Sequence, residues 1–544
     1  MIECRDRVRR EIGVEEARIF EAHLAILKDA FFQDGISGEI ASERKNAEYL
    51  LKSGLEKWNR SFESMDNDHF RLRFDDIRDV SVRILRILLQ TEEISFPTDK
   101  PAILVAHSLT PSDTARIDRV KIVGFATELG GLTSHASILA RSMGIPAVVG
   151  VERLMKSASD GDMLIVDGNS GILHIDPPND LVTGYEKRKK QFNVYWQRLA
   201  EEATLEAVTT DGTSISLKAN VGITADIGMA LKYCADGIGL FRTELPFLIA
   251  GRLLGEEEQF KLYRTVAESM GSQSVTIRTL DLGGDKFLPF QGIEKESNPF
   301  LGWRSIRIFL QERDVFKIQL RAILRASYFG RVRIMFPMIS SMEEILQIRE
   351  VLDETKDDLK HDGIPFDEEI KMGIMIEVPS AAILSHQLIR HVDFFSIGTN
   401  DLIQYALAVD RNNERVARFY QPLNPAILHL IRKTVDAALC AGKPVSLCGE
   451  MAGNPIYTVM LLGLGLRELS MSPLMLPEVK ERVRAISIDE CESVRDMLLE
   501  KDSADEIEKA LWAFHFHVNK RQPVPFIEKS SMKEWDNNSE TLPK

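Results

Sequence analysis

The sequence predicts a multidomain α/β protein with an N-terminal helical domain, a small α/β domain and a C-terminal (β/α)8 TIM barrel. Residues 1–95 repeat apolar side chains at three- and four-residue spacing, as in EEARIFEAHLAILKDAFF, which predicts helices. Residues 96–180 alternate short apolar runs with turns and helical segments, a pattern typical of an α/β domain. Residues 209–530 contain eight strand candidates with helical stretches between them, and eight such units make a (β/α)8 barrel.

The barrel prediction depends on the count of strand candidates. They are ISLKANVGI, GIGLFRTE, SVTIRTLDLGG, VRIMFPMIS, KMGIMIEVP, VDFFSIGTND, PVSLCGEMA and LRELSMS. The charged, helix-prone segment before them, residues 181–208, is expected to link the α/β domain to the barrel and to serve as a hinge, since few contacts should cross it. The last residues, 531–544, are expected to form a disordered tail.

Composition excludes several classes of function. The 544-residue chain carries 68 Lys and Arg against 82 Asp and Glu, a formal charge of −14, which argues against nucleic acid or an anionic membrane as the main partner. No apolar run approaches the ~20 residues that span a bilayer, and the charged opening MIECRDRVRREIG lacks the apolar core of a signal peptide. The five cysteines are scattered, without metal-site spacing, so a disulfide framework is not expected. We therefore expect a cytoplasmic protein.

Polar residues follow most of the strand candidates. In (β/α)8 barrels the chemistry takes place at the carboxyl ends of the strands, so polar residues at these positions are candidates for an active site. Six of the eight strand candidates end in such residues, namely Arg242, Arg278, Glu377, Asn400 with Asp401, Cys448, and Ser470 with Ser472.

The arginines predict an anion site. Arg242 and Arg278 end neighbouring strands, and Arg304 and Arg411 are available from loops. Guanidinium groups offer forked donors that suit a phosphate or a carboxylate. Each arginine alone could equally pair with an acid of the barrel or lie in a solvated loop, but the four together favour a ligand.

Two carboxylates predict a magnesium site. Glu377 and Asp401 end consecutive strands, and two carboxylates beside phosphate oxygens are the usual ligands of Mg²⁺, which keeps some of its water. The alternative is that both acids cap helices or form salt bridges.

Cys448 and His135 are candidates for proton transfer and nucleophilic attack. A thiol at the barrel mouth could exchange a proton with a substrate carbon, although most cysteines simply pack in a core. His135 follows two glycines, Thr133 and Ser134 at the predicted start of a helix, where negative charge is stabilised. A phosphoryl group on the imidazole would be favoured there, and the alternative is a structural histidine at a helix cap.

Several long motifs resemble a known family, in family order and over nearly the whole chain. They are GGLTSHASILARSMGIPAVVG, GIGLFRTE, TLDLGGDK, NPFLGWRSIR, RIMFPM, IMIEVPSA, FSIGTNDLIQY and LCGEMAG. They identify the sequence as similar to enzyme I of the bacterial phosphoenolpyruvate:sugar phosphotransferase system. The resemblance implies a helical domain that binds the phosphocarrier protein HPr, a swivelling α/β phosphohistidine domain, and a barrel that binds phosphoenolpyruvate (PEP) and forms a homodimer.

The resemblance also implies roles for individual residues. His135 would take the phosphoryl group of PEP and pass it to HPr, Thr114 would lie near this histidine, and Cys448 would protonate the enolpyruvate carbon. Glu377 and Asp401 would hold Mg²⁺. The residues implied in PEP binding are Arg242, Arg278, Arg304, Asn400, Asp401 and Arg411.

Two departures from the family pattern leave an alternative open. The chain begins inside a helical pattern where the family has a strand and a longer helix, and Leu132 stands where the family motif has an arginine. The alternative is therefore a non-catalytic, PEP-binding regulatory homologue with impaired HPr docking. Dikinases and synthases that also use PEP are disfavoured, because only about 95 residues precede the α/β region and these lack a glycine-rich phosphate loop.

Overall fold

A computed structural model gives the architecture of two compact units, residues 1–189 and 190–544. It describes residues 100–109, 121–129, 145–168, 170–222, 224–244, 246–247, 252–283, 298–411, 413 and 416–521, with short stretches between 45 and 89. Most of the predicted helical domain and the predicted tail lie outside these residues. None of the described helices is both long and apolar enough to cross a membrane.

The first unit contains a small parallel sheet. Its strands β1 (Ala102–Ala106), β2 (Ile122–Thr127) and β3 (Ala147–Val149) lie in the order β1-β2-β3. Phe125 is fully buried in this sheet, and Leu104, Ile145 and Val149 pack against it. Strands β4 (Leu164–Asp167) and β5 (Ile172–Ile175) form an antiparallel hairpin. The α/β character predicted for this region is confirmed.

The second unit is a closed barrel of eight parallel strands. The strands are β6 (Ser216–Val221), β7 (Gly237–Phe241), β8 (Ser274–Arg278), β9 (Val332–Phe336), β10 (Lys371–Ile376), β11 (Phe394–Ile397), β12 (Val445–Leu447) and β13 (Glu468–Met471). Each strand falls inside one of the eight predicted segments, so the barrel prediction is confirmed. Its core is continuous with the surrounding helices, because both faces of a parallel sheet are buried.

Helices connect the strands on the outside of the barrel. In chain order the α-helices of the described residues are α1 (Leu154–Ser157), α2 (Asn179–Glu201), α3 (Thr224–Lys232), α4 (Glu256–Met270), α5 (Ile306–Phe309), α6 (Arg313–Ser327), α7 (Met342–His361), α8 (Pro379–Ile383), α9 (Ser385–Leu388), α10 (Thr399–Ala406), α11 (Pro425–Cys440), α12 (Thr458–Gly463), α13 (Leu476–Arg484), α14 (Ile488–Leu499) and α15 (Ala504–Arg521). Short 3-10 helices lie between several of these elements, and one of them, Glu450–Gly453, follows strand β12.

Helix α2 occupies most of the segment predicted to link the domains. In its first half Tyr185 donates a hydrogen bond to Asp167 of the first unit, over 3.3 Å. In its second half Tyr195 donates to Glu481 of α13 over 2.8 Å, and just after the helix the amine of Lys480 donates to the carbonyl of Ala203 over 2.6 Å. The second half of α2 is therefore fixed to the barrel unit.

Three charged side chains fill the barrel interior near the amino ends of the strands. The amine of Lys218 on β6 lies 2.7 Å from the Glu468 carboxylate of β13, and Arg333 on β9 reaches the same carboxylate over 3.1 Å. Because β9 and β13 lie on opposite sides of the closed barrel, this ion pair crosses its interior. Burial opposes ionisation of Glu468, but the charges of Arg333 and Lys218 outweigh it and lower the pKa of its carboxyl. We call these three residues the floor cluster.

Replacing Glu468 by glutamine should destabilise the barrel. The substitution keeps the volume but leaves the charges of Lys218 and Arg333 facing each other without their shared carboxylate, and breaking a buried pair costs about 3 kcal/mol or more. Urea unfolding of the purified protein would measure the loss in free energy of unfolding. The control is Glu354→Gln, which removes an exposed partner of Lys317 and should leave the free energy nearly unchanged. Equal losses in the two variants would contradict the role of the floor cluster.

Candidate active site

The predicted site residues of the barrel lie together at the carboxyl ends of its strands, which we call the barrel mouth. Arg278 is the last residue of β8, and Arg242, Glu377 and Cys448 directly follow β7, β10 and β12. Asn400 and Asp401 lie in the first turn of α10, just after β11. This arrangement follows from parallel pairing, which puts the carboxyl end of every strand at the same edge.

Arg278 is buried between two carboxylates that the sequence analysis did not select. Its guanidinium donates to Glu244 over 2.7 Å and lies 3.2 Å from Asp281. Burial disfavours the guanidinium charge, but Glu244 and Asp281 outweigh this effect and raise the pKa of Arg278. Glu244 also accepts the backbone N–H of Asp281 over 3.0 Å, so it fixes both the arginine and its second partner.

Arg304 is held in the same way from the other side. One terminal nitrogen donates to both oxygens of Asp281, over 2.9 and 3.1 Å, and to Asp401 over 3.3 Å. The other donates to the hydroxyl of Tyr405 over 2.8 Å, and this hydroxyl in turn donates to the carbonyl of Phe300 over 2.7 Å. Asp281 therefore bridges the two buried arginines and keeps their guanidinium groups close together.

Several buried polar atoms at the mouth have no hydrogen-bond partner among the described residues. The Nε–H groups of Arg278 and Arg304 are unpaired donors, and Oδ1 of Asp401 is an unpaired acceptor. Buried polar atoms are rarely left without partners, because each such atom costs about 1–3 kcal/mol. The unpaired N–H donors suit an anionic ligand. The unpaired carboxylate oxygen suits a cation bound together with that ligand.

Glu377 and Asp401 meet the requirements of a magnesium site in part. Oε1 of Glu377 accepts the backbone N–H of Met338 over 2.6 Å, and Oδ1 of Asp401 lies 3.9 Å from the guanidinium of Arg411. Burial and then the charge of Asp401 raise the pKa of the Glu377 carboxyl, and a divalent cation bound between the two acids would favour their charged forms. The described residues contain no group of three or more acid, histidine or cysteine side chains placed to hold a metal, so further oxygens would come from substrate and water.

Cys448 is buried at the inner edge of the mouth. It packs among Leu240, Met335 and Met375 inside the barrel, and its thiol makes a weak contact of 3.7 Å with the carbonyl of Ile397. Burial raises the pKa of the Cys448 thiol, so the sulfur keeps its proton at neutral pH. A protonated thiol beside an arginine cluster can act as an acid towards a carbanion-like carbon.

The remaining predicted residues differ in their surroundings. Arg242 is exposed, and no carboxylate among the described residues pairs with its side chain. Arg411 is about one-third exposed and its backbone N–H is held by Gln404 over 3.2 Å. The side-chain amide of Asn400 makes two hydrogen bonds with Glu450. Its oxygen accepts from the backbone N–H over 2.9 Å, and its nitrogen donates to the carboxylate over 3.0 Å. In this structure Asn400 thus holds the turn after Cys448.

His135, Thr114 and Leu132 lie outside the described residues. The strand that precedes the histidine motif, β2, ends at Thr127. Beyond it, Glu128 accepts from His107 over 2.6 Å and from the backbone of Met155 over 3.0 Å. The predicted roles of His135 and Thr114 therefore stay predictions from the sequence.

Three residues of the mouth were missed by sequence reasoning. Glu244 and Asp281 lie in the quoted motifs GIGLFRTE and TLDLGGDK, each a few residues past a strand, so the rule that selected Arg242 could have selected them as well. Tyr405 lies one helical turn after Asp401 on α10, on the same face of the helix.

Comparison with known proteins identifies the family. Residues 197–488 match the PEP-binding domain of PEP-utilising enzymes, residues 98–171 their mobile domain and residues 1–73 their N-terminal domain. The phosphoenolpyruvate-protein phosphotransferases of Bacillus sp. (strain S) and Geobacillus stearothermophilus are each 44% identical over 91% of this chain and 86% of their own. That of Bacillus subtilis (strain 168) is 43% identical over 92% of this chain and 88% of its own. The chain therefore belongs to the PEP-utilising enzymes, in the family of the phosphoenolpyruvate-protein phosphotransferases.

Proposed function

We propose that this chain transfers the phosphoryl group of PEP to His135 and from there to the phosphocarrier protein HPr, the first step of the sugar phosphotransferase system. The phosphotransferase activity follows from family membership, since the chain covers most of the length of its relatives. The observation that carries the residue assignments is the mouth itself, where buried arginines with unpaired Nε–H groups lie near Glu377 and near Asp401, whose Oδ1 has no hydrogen-bond partner among the described residues. The non-catalytic alternative is not favoured.

The buried arginines fit the two anionic ends of PEP. Arg278 and Arg304 are fixed by Glu244, Asp281 and Tyr405, so their unpaired N–H groups are oriented before substrate binds. Donors that need no reorganisation stabilise developing charge most effectively. Arg242 and Arg411, which are more exposed, would close on the ligand from the rim of the mouth.

Glu377 and Asp401 would hold Mg²⁺ against the phosphate oxygens. The bound cation would neutralise charge on the phosphoryl group during in-line transfer. The two acids would position it, and Asp401 would in addition keep Arg304 in place through its other oxygen.

Cys448 would complete the chemistry at carbon. When the C–O–P bridge of PEP breaks and the phosphoryl group moves to a nitrogen of His135, the enolate of pyruvate remains. The S–H bond of Cys448 then breaks as a C–H bond forms at the methylene carbon, which gives pyruvate and a thiolate that regains its proton from water. Burial keeps the thiol protonated, so it would be in the donor form when the enolate appears.

The remaining elements of the proposal concern partners. HPr would dock on the helical domain predicted for residues 1–95, with Thr114 near the active histidine, and the barrels would pair as a homodimer. The homodimer and the docking surface are taken from the family resemblance.

Incubation with PEP labelled in its phosphoryl group would test the proposal. With Mg²⁺ we expect acid-labile, alkali-stable label on the chain and release of pyruvate, and addition of HPr from one of the bacilli should move the label to HPr. Label on the chain without transfer to HPr would instead support the regulatory alternative. Failure of the chain to take up label would overturn the proposed function.

A further inference from the structure

The backbone carbonyl of Cys448 lacks a partner in the strand ladder. Pairing between β12 and β13 is confined to Ser446 with Glu468 and Leu447 with Leu469, so the ladder stops one residue before the cysteine. The carbonyl instead accepts a hydrogen bond from the side-chain amide of Asn220 over 2.9 Å. Asn220 lies on β6, two strands away in the barrel order, so the bond passes through the interior.

Ser470 fixes the orientation of that amide. Its hydroxyl donates to the carbonyl oxygen of the Asn220 side chain over 2.6 Å, which leaves the NH₂ group to face Cys448. A backbone carbonyl can only accept, so this orientation is the one that satisfies both partners. Ser470 was among the strand-end residues selected from the sequence, and the chemistry described so far assigns it no role.

Strand β7, two strands from β13 in the barrel order, leaves room for the Ser470 side chain. Gly239 on β7 is buried, and a Cβ added there would lie 2.3 Å from the hydroxyl and 2.5 Å from the Cβ of Ser470. Rotation of the hydroxyl could not relieve the second contact, so alanine at this position would push the serine away from Asn220. The barrel thus accommodates Ser470 only because residue 239 is glycine.

Hydrogen bonds also fix the backbone N–H groups of Cys448 and of Glu450, two residues further on. The backbone N–H of Cys448 donates to Ile397 over 3.0 Å, and that of Glu450 donates to Asn400 over 2.9 Å. The thiol makes a weak contact of 3.7 Å with the carbonyl of Ile397 and a side-chain hydrogen bond with Ser396. Its direction also depends on the backbone that carries it, and Asn220 is the group that holds the carbonyl of that residue.

We propose that Asn220, oriented by Ser470, is a positioning residue that aims the Cys448 thiol at the substrate carbon. The inference rests on the proposed function, in which Cys448 is the proton donor. A side-chain amide inside a barrel costs free energy of desolvation, which its two hydrogen bonds offset. A displacement of about 1 Å at a reacting group can lower a rate by about a hundredfold, so small changes at the Cys448 carbonyl should be measurable.

Kinetics of three variants would test the inference. Asn220→Leu removes both hydrogen bonds at similar volume, Ser470→Ala removes the orienting hydroxyl, and Gly239→Ala displaces that hydroxyl without removing a polar group. For each we expect kcat for pyruvate release to fall about tenfold to a hundredfold, with KM for PEP within about twofold of the wild type. The solvent deuterium isotope effect on kcat should rise, because protonation of carbon becomes slower relative to the other steps.

A second background separates positioning from general structural damage. The second background is Cys448→Ser, whose hydroxyl is a far weaker acid than a thiol. Adding Asn220→Leu to Cys448→Ser should lower kcat by less than about twofold further. The effects of two residues that act through the same group are not additive. Asn424→Leu, which removes the cap of helix α11, serves as a matched control and should lower stability without changing the isotope effect.

The outcomes of the two proposals can be told apart. Near-normal turnover of Cys448→Ser alone would remove the cysteine from the proposed chemistry and the positioning role with it. A strongly slowed Cys448→Ser together with normal kcat in the Asn220, Ser470 and Gly239 variants would overturn the positioning role only. An equal loss from Asn220→Leu in both backgrounds would also overturn it, because the asparagine would then act independently of the thiol.

Discussion

Replacing His135 by alanine should abolish phosphorylation of the chain by PEP. The imidazole nitrogen is the proposed acceptor of the phosphoryl group, and an alanine offers no nucleophile, so the loss should be complete. Binding of PEP should remain, because the histidine lies in the segment that matches the mobile domain while the barrel mouth lies in the segment that matches the PEP-binding domain. Labelled PEP with acid quench would measure phosphorylation, and titration calorimetry would measure binding.

A second histidine of the same unit provides the control for this experiment. His174 lies on β5 and contacts only the ring of Tyr185 among aromatic groups of the described residues. His174→Ala should keep phosphorylation close to that of the wild type. Acid-labile label on His135→Ala would refute the assignment of the phosphorylated residue.

Glu377→Gln and Asp401→Asn should each lower Mg²⁺-dependent turnover by about a hundredfold to a thousandfold, the loss expected when a preorganised group of an active site is removed. Both substitutions keep the side-chain volume. Glutamine at 377 can still accept from Met338, and Arg304 keeps the Asp281 carboxylate as a partner in Asp401→Asn, so the melting temperature should change little. Steady-state kinetics over a range of Mg²⁺ concentrations would separate loss of metal affinity from loss of rate. Removal of the metal from the wild type by chelation should reproduce the loss.

The control for the acids is Asp436→Asn, which changes a surface carboxylate of α11 that pairs with Arg432. Its turnover should match that of the wild type at every Mg²⁺ concentration. A variant of Glu377 or Asp401 that kept its rate at ordinary Mg²⁺ would show that the acid concerned has a structural role only, which for Asp401 is its ion pair with Arg304.

The sequence was sufficient to predict the barrel and its mouth. Each strand is a short apolar run between turns, and the polar residue that ends it must lie at the common edge of a parallel sheet, which is why Arg278, Glu377 and Cys448 could be selected in advance. The partners of these residues were harder to predict. Glu244 and Asp281 position Arg278 and Arg304 through ion pairs. Each pair joins residues that are more than 20 positions apart in the sequence, so the pattern around one strand does not predict it.

Contacts across the barrel interior could not be predicted from the pattern of single strands. Asn220 and Lys218 both lie in ISLKANVGI, where a polar residue normally marks the exposed face of a strand. Which side chains meet inside the barrel depends on the stagger of the closed sheet, a property that no single strand encodes. The floor cluster and the contact from Asn220 to Cys448 are both consequences of that closure.

The floor cluster also bears on how a ligand would enter and leave. Lys218, Arg333 and Glu468 occupy the interior near the amino ends of the strands, and apolar side chains that include Leu240, Met335 and Met375 pack inside the barrel. A ligand bound at the mouth as proposed would therefore enter and leave by the carboxyl ends of the strands. PEP and pyruvate would then share one entrance.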